Sequence, residues 1–184
     1  MTWTSPIVWT NGTLTAAQLN QQVSANMAET AAAKATTSGS IFVGTGLNSL
    51  AERIPSETIE FASETTSSTT YVNLATVGPN VTVTTGDKAL VGVTSDINNS
   101  TAGATSVTSW AVYTPPNVLQ IAPDDNYSLW CKTEASPTGA APLRASSFRL
   151  CSGLIPQSNL FQQKYRVSAG TGTYNERALL VIPL

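Results

Sequence analysis

The chain has 184 residues, 41% of them hydrophobic and only 11% charged, with no histidine and a formal net charge of −2. A charged fraction so far below the roughly 25% usual for soluble domains, made up by Thr, Ser, Asn and Val, suits stacked strands and packed assemblies more than a crowded cytosol. The missing basic excess disfavours a nucleic-acid binder that tracks phosphates, and the missing histidine excludes a His-based triad.

Residues 1–36 read as an N-terminal anchor and helix. Trp3, Trp9 and Leu14 lie in a short extended run that ends in the Asn11-Gly12 turn, and two tryptophans are costly to leave in water. They are expected to anchor the chain in an assembly, the alternative being that they staple the start of the helix or cover a sheet edge. Thr15 and Gln18 have capping-box spacing, which predicts a helix beginning at Ala16 and running through Ala-rich sequence to residue 35. Leu19, Val23 and Met27 recur every four residues and form one apolar stripe. A stripe this narrow does not hold a helix in water alone, so the segment is expected to pack on a second copy of itself or within a larger assembly, the alternative being its own β domain.

Residues 37–56 read as a connector. Its glycines, Gly44 and Gly46, do not make a phosphate loop, because no Lys-Ser or Lys-Thr pair follows them. Residues 57–184 then show short alternating runs broken by turn chemistry, about nine strands in all. The runs are 58–62, 70–74, 80–84, 88–94, 106–113, 127–131, 144–151, 160–167 and 177–182. The predicted class is mainly β, an antiparallel β-sandwich with jelly-roll-like connections, preceded by the N-terminal α-helix. The last run, Leu179-Leu-Val-Ile182, is continuously apolar, which predicts a strand covered on both faces in mid-sheet or against a neighbouring subunit. Cys131 and Cys151 fall in strand-like runs and are expected as buried thiols, with a disulfide as the alternative.

No catalytic residue, cofactor or metal is assigned. Asp124-Asp125 has the composition of half a calcium loop, but Asp and Asn at this spacing more commonly make a turn. Glu134 and Glu176 have no carboxylate partner that the sequence identifies. Trp110, Tyr113, Tyr127, Trp130 and Tyr165 would form either core or a sugar-stacking face, with core the better reading at strand spacing. The opening residues lack a basic region and a long apolar run, and no segment approaches the ~18 apolar residues of a membrane span. The expectation is a chain made in a cytosol that neither inserts in a membrane nor binds nucleic acid.

Three motifs carry a resemblance. Trp9-Thr-Asn-Gly-Thr-Leu-Thr-Ala-Ala-Gln-Leu-Asn20 opens the chain, Val81-Thr-Val-Thr-Thr-Gly86-Asp-Lys-Ala-Leu-Val91 lies at its centre, and Phe161-Gln-Gln-Lys164-Tyr165-Arg166-Val167 leads into Arg177-Ala-Leu-Leu-Val-Ile-Pro183-Leu at its end. Together they resemble small virion proteins of tailed bacteriophages, especially those of actinobacteria. The resemblance implies a non-enzymatic structural protein exposed on the particle, commonly trimeric, with other tail or capsid proteins as partners and no catalytic residues. A minor tail or fibre-type component is the first expectation and capsid decoration the alternative. A host-receptor module binding a surface glycan through the aromatics and the loops near Asn98 and Asp124 is the further alternative.

Overall fold

The computed structural model describes residues 15–28, 30, 34–47, 49–133 and 142–184. It divides into two units, Met1–Ile54 and Pro55–Leu184. Trp3, Trp9 and Leu14 lie outside the described residues.

In the first unit, helix α1 spans Ala16–Ala28 and starts with the expected cap. The Gln18 N–H donates to Thr15 Oγ1 at 3.2 Å and the Thr15 N–H donates to Gln18 Oε1 at 3.0 Å, so two N–H groups without helical partners are satisfied reciprocally. Thr30 turns its hydroxyl back onto the Met27 carbonyl at 2.8 Å just past α1, and Lys34 is again helical, its N–H donating to the Thr30 carbonyl at 3.1 Å. Leu19, Val23 and Met27 are 47%, 46% and 64% exposed. Within residues 37–56, strands β1 (Ile41–Gly46) and β2 (Ser49–Arg53) form an antiparallel hairpin. Glu52 on β2 fastens the preceding chain by accepting the N–H groups of Thr36 and Thr37 at 2.9 and 2.8 Å.

The second unit contains β3 (Ser56–Glu60), β4 (Glu64–Thr66), β5 (Asn80–Thr84), β6 (Lys88–Asn99), β7 (Thr105–Thr114), β8 (Val118–Ile121), β9 (Leu129–Lys132), β10 (Leu143–Ser152), β11 (Ser158–Val167) and β12 (Gly172–Pro183). They make two five-stranded antiparallel sheets. The first runs β10-β6-β12-β3, with β4 also on β12, and the second runs β5-β11-β7-β8, with β9 also on β7. Val91, Val93, Leu179 and Val181 from the first sheet share one core with Val81, Trp110, Val112 and Phe161 from the second. Alternation along each strand produces this: β5 reads exposed-buried-exposed-buried-exposed, the signature of a half-buried pleat.

Some sequence expectations need correction. Residues 70–74 are not a strand. Val72 makes a single bridge to Tyr165, and beside it the Ser68 hydroxyl donates to the Thr70 carbonyl while the Thr70 N–H donates to Ser68 Oγ, turning the chain. Strands β4 and β8 were not expected; they fill the rows on β12 and β7 that β3 and β9 leave incomplete. The apolar run 179–182 does lie in mid-sheet, between β6 and β3, with Leu179 and Val181 fully buried but Leu180 and Ile182 only partly covered.

A β-bulge in β12 places a charge in the core. Asn175 opposes Asp96 and Ala178 opposes Thr94, so Glu176 and Arg177 together face the single residue Ser95, with Glu176 at φ 41°. The bulge changes the strand's parity: Tyr174 and Arg177 both face inward, and both are 0% exposed. The Arg177 guanidinium stands 3.2 Å from Glu64 Oε2 on β4, donates to the Ala62 carbonyl at 3.4 Å, and lies 5.5 Å from the Tyr165 ring centroid. Burial pushes the Glu64 carboxyl up, but hydrogen bonds from Thr76 and the charge of Arg177 overcome this and hold it below its ordinary value.

Removing one partner of such a pair strands the other. Glu64→Gln is expected to cost about 3 kcal/mol of unfolding free energy, and the double substitution Glu64→Leu with Arg177→Met to recover most of that loss. Urea denaturation of the three chains measures both values.

Candidate functional site

The outer face of the second sheet carries a groove assembled from five segments. Register sets its floor: Arg166 on β11 lies opposite Val107 on β7, which lies opposite Trp130 on β9, so the three side chains project from the same face in one row. Strand β8 pairs with β7 only at residues 112–114 and β9 only at 105–108, and the segment between them crosses the remaining edge. That segment, with its 3-10 turn Asp125–Tyr127, is held to β7 by the Ser109 hydroxyl, which donates to the Asp124 carbonyl at 2.9 Å. On the other side, Val72 pairs with Tyr165 through two backbone hydrogen bonds of 2.9 and 3.0 Å, which brings Tyr71 beside Arg166.

Asp125 joins these segments. Arg166 donates to it bidentately, Nε to Oδ1 at 3.0 Å and Nη2 to Oδ2 at 2.5 Å, and the Tyr71 hydroxyl donates to Oδ1 at 2.6 Å. The Arg166 guanidinium also stands 5.4 Å from the Tyr71 ring centroid. The Arg166 and Tyr71 hydrogen bonds hold the Asp125 carboxyl below the ordinary carboxylate range, and Asp125 holds Arg166 above its own. Burial, then the bond to Asp125, pushes the Tyr71 phenol up. Asp125 and Arg166 therefore keep opposite charges across the physiological range.

The triad divides the groove in two. A cavity of about 550 Å³ lies between Thr69–Tyr71 and Pro123–Asn126 over Arg166. A second, of about 280 Å³, is lined by Thr105, Val107, Asp125, Ser128, Trp130, Arg166 and Ser168. The lining combines hydroxyls, an amide, the Arg166–Asp125 ion pair and the Asp124 carboxylate with the Tyr71 ring, the Trp130 indole, Pro123 and Val107, a mix that suits a ligand with polar and apolar faces.

The residues singled out from sequence are dispersed. Asp124 uses its carboxylate on the turn, accepting the Asn126 N–H at 2.6 Å, and Asp125 is committed to Arg166. Among the described residues no cluster of three or more His, Cys, Asp or Glu gathers to hold a metal. Glu176 pairs with Arg144, and Glu134 lies outside the described residues. Trp110 and Tyr165 are core, Tyr113 is partly covered, and Tyr127 stacks on Trp110 at 5.5 Å, which leaves Trp130 as the widely exposed aromatic of the five. Cys131 and Cys151 are free thiols on strands of different sheets, and burial pushes Cys151 up to about 11. Tyr71 and Arg166 were not singled out, because their partner Asp125 is 54 and 41 residues away. Among the described residues no helix is long and apolar enough to cross a membrane.

The sign of the pH response follows from Asp125. Its folded-state value lies below 3.8, so its contribution is complete above about pH 4 and is lost as pH falls through that lower value. Because Asp125 is 60% exposed, the stability at stake is at most about 1 kcal/mol. The Arg166 Nε–H resonance is expected to be protected at neutral pH, to lose protection on acidification, and to be unprotected at every pH in Asp125→Asn.

Compared with known proteins, the chain matches no protein-family model, and no curated protein matches it significantly in sequence.

Proposed function

We propose that this chain is a non-enzymatic structural protein of a tailed-phage virion, a minor tail or fibre-type component exposed on the particle and assembled as a homotrimer. Its β domain is read as a jelly-roll sandwich. Taking β3 with β4 and β8 with β9 as single interrupted strands leaves eight strand positions. The first pairs with the eighth, the second with the seventh, the third with the sixth and the fourth with the fifth. That nesting is a long antiparallel hairpin rolled up, the connection pattern of a jelly roll. Contacts of β12 with β6 and of β11 with β7 close the roll.

The observation that carries the assembly reading is the outer face of the first sheet. Leu150, Leu90 and Ile182 lie in one cross-strand row, and Phe148, Gly92 and Leu180 in the next. Phe148 and Leu150 are each 56% exposed. A Cβ on Gly92 would come within 2.4 Å of the Phe148 ring, so glycine here lets the ring lie flat on the sheet. Neither row holds a charged side chain on these three strands, and on the fourth, β3, the exposed Glu57 stands opposite Leu180 and bounds the apolar patch. A neighbouring copy is the occupant we propose for it, meeting these rows with a different part of its own surface, as closure into a trimer requires. The stripe Leu19, Val23 and Met27 offers a separate seam at which copies meet. The three sequence motifs support the phage context, and capsid decoration is the second reading for the same surfaces.

Multi-angle light scattering on the purified chain is expected to give three times its 19.2 kDa mass. Phe148→Glu and Leu150→Glu on that face, combined with Leu19→Glu, Val23→Glu and Met27→Glu on the helix, are expected to give monomers whose β circular dichroism is unchanged. A wild-type monomer would sink the trimer reading. Antibody labelling at the tail of intact particles tests tail against capsid placement.

A further inference from the structure

We infer that the groove around Asp125 and Arg166 binds a neutral saccharide, with the Trp130 indole as its stacking platform. The geometry would bind whether or not the chain belongs to a virion.

Trp130 is 61% exposed, and the register sets it in the same row as Arg166 with only the buried Val107 between them. The other groups around it in the smaller cavity are polar or charged, apart from Val107 on the floor. A flat indole beside hydroxyls and an ion pair matches a pyranose, whose C–H face is apolar and whose rim is a ring of hydroxyls. An apolar peptide or lipid would find one hydrophobic contact and a row of groups it leaves unpaired.

The polar groups are already aimed. Asp125 receives Tyr71 and Arg166 yet keeps 60% of its side chain exposed, so its oxygens have acceptor capacity for sugar hydroxyls. Arg166 is 22% exposed and is fixed on three sides, by its ion pair with Asp125, by the Tyr71 ring and by its place in β11. A donor and an acceptor held together in this way engage adjacent hydroxyls with little ordering cost on binding. Thr69, Thr70 and Asn126 extend the same chemistry along the larger, open part of the groove.

Charge selects the class. In the lining Asp124 and Asp125 stand with Arg166, which is already paired with Asp125, while Lys132, two residues beyond Trp130 on the same face, lies outside the lining. An anionic sugar would have to draw Arg166 away from Asp125, so neutral sugars are the class that fits.

The test uses the full chain and defined probes: maltohexaose, cellohexaose, mannohexaose and laminarihexaose, with 3′-sialyllactose as the anionic control. The Trp130 indole N–H resonance is assigned by its loss in Trp130→Phe. At least one neutral hexaose is expected to shift it saturably, with a dissociation constant on the order of 1 mM or tighter. Trp130→Ala is expected to weaken that binding by about tenfold, and Trp130→Phe, which keeps a ring, by less. Asp125→Asn is expected to weaken it several-fold. Because Trp130 is exposed, the melting temperature of Trp130→Ala should match the parent and so separate lost binding from lost fold. The inference fails if no neutral probe shifts the indole at concentrations on the order of 20 mM, if Trp130→Ala binds like the parent, or if sialyllactose binds best.

Discussion

The Arg177 guanidinium is the constraint around which the β domain closes. It is fully buried and meets Glu64, the Ala62 carbonyl and the face of Tyr165. A charge taken out of water is tolerated only when its partners are in place, so this one residue requires β12, β4 and β11 to be correctly assembled together. The Tyr165 hydroxyl extends the requirement to the turn before β5 by donating to the Gly78 carbonyl at 2.8 Å. Only the Nε of Arg177 is without a hydrogen-bond partner, a modest residue of the cost. Mis-registered sheets would leave an uncompensated cation in an apolar core, which is a reason for one native register to win over its neighbours.

The same strand that buries Arg177 also prepares the surface. Past the bulge, β12 turns Leu179 and Val181 to the core and Leu180 and Ile182 outward, where they meet the rows that end at Phe148 and Leu150. On the second sheet β11 does the equivalent. Tyr165 points inward to Arg177, while the next residue, Arg166, points outward to Asp125. Strand alternation thus ties the core charge and the groove charge to one register. A slip by one residue would exchange them, expose the tyrosine and bury an arginine with no carboxylate to meet it.

The two outer faces have different characters. The face of the first sheet is apolar in its central rows and suits a second protein surface. The face of the second sheet holds an ion pair, hydroxyls and an exposed indole, and suits a small polar ligand. One β domain can therefore take part in an assembly through one side and bind a ligand with the other, since neither face uses residues of the other.

Local chemistry was enough to read several elements. The Thr15–Gln18 cap needs only residues three apart, so the start of α1 at Ala16 was legible, and alternation with turn punctuation was enough to place β5, β7 and β10 to within a residue at each end. Length and composition bounded the domain and its antiparallel character. What local pattern does not encode is which distant segments become neighbours. Residues 70–74 had the composition of a strand, but a single bridge to Tyr165 was all the space beside β11 allowed. Arg177 read as one more polar residue in a strand until the bulge at Glu176 turned it inward. The groove is the clearest case, because Tyr71, Asp125, Trp130 and Arg166 come from separate segments, and only sheet register and a loop crossing the edge of β7 set them side by side. The sequence by itself determined the periodicities, the caps and the scarcity of charge, because these depend on neighbours along the chain. The tertiary structure decided which charge is buried, which indole is open and which carboxylate is already spoken for, because those depend on neighbours in space.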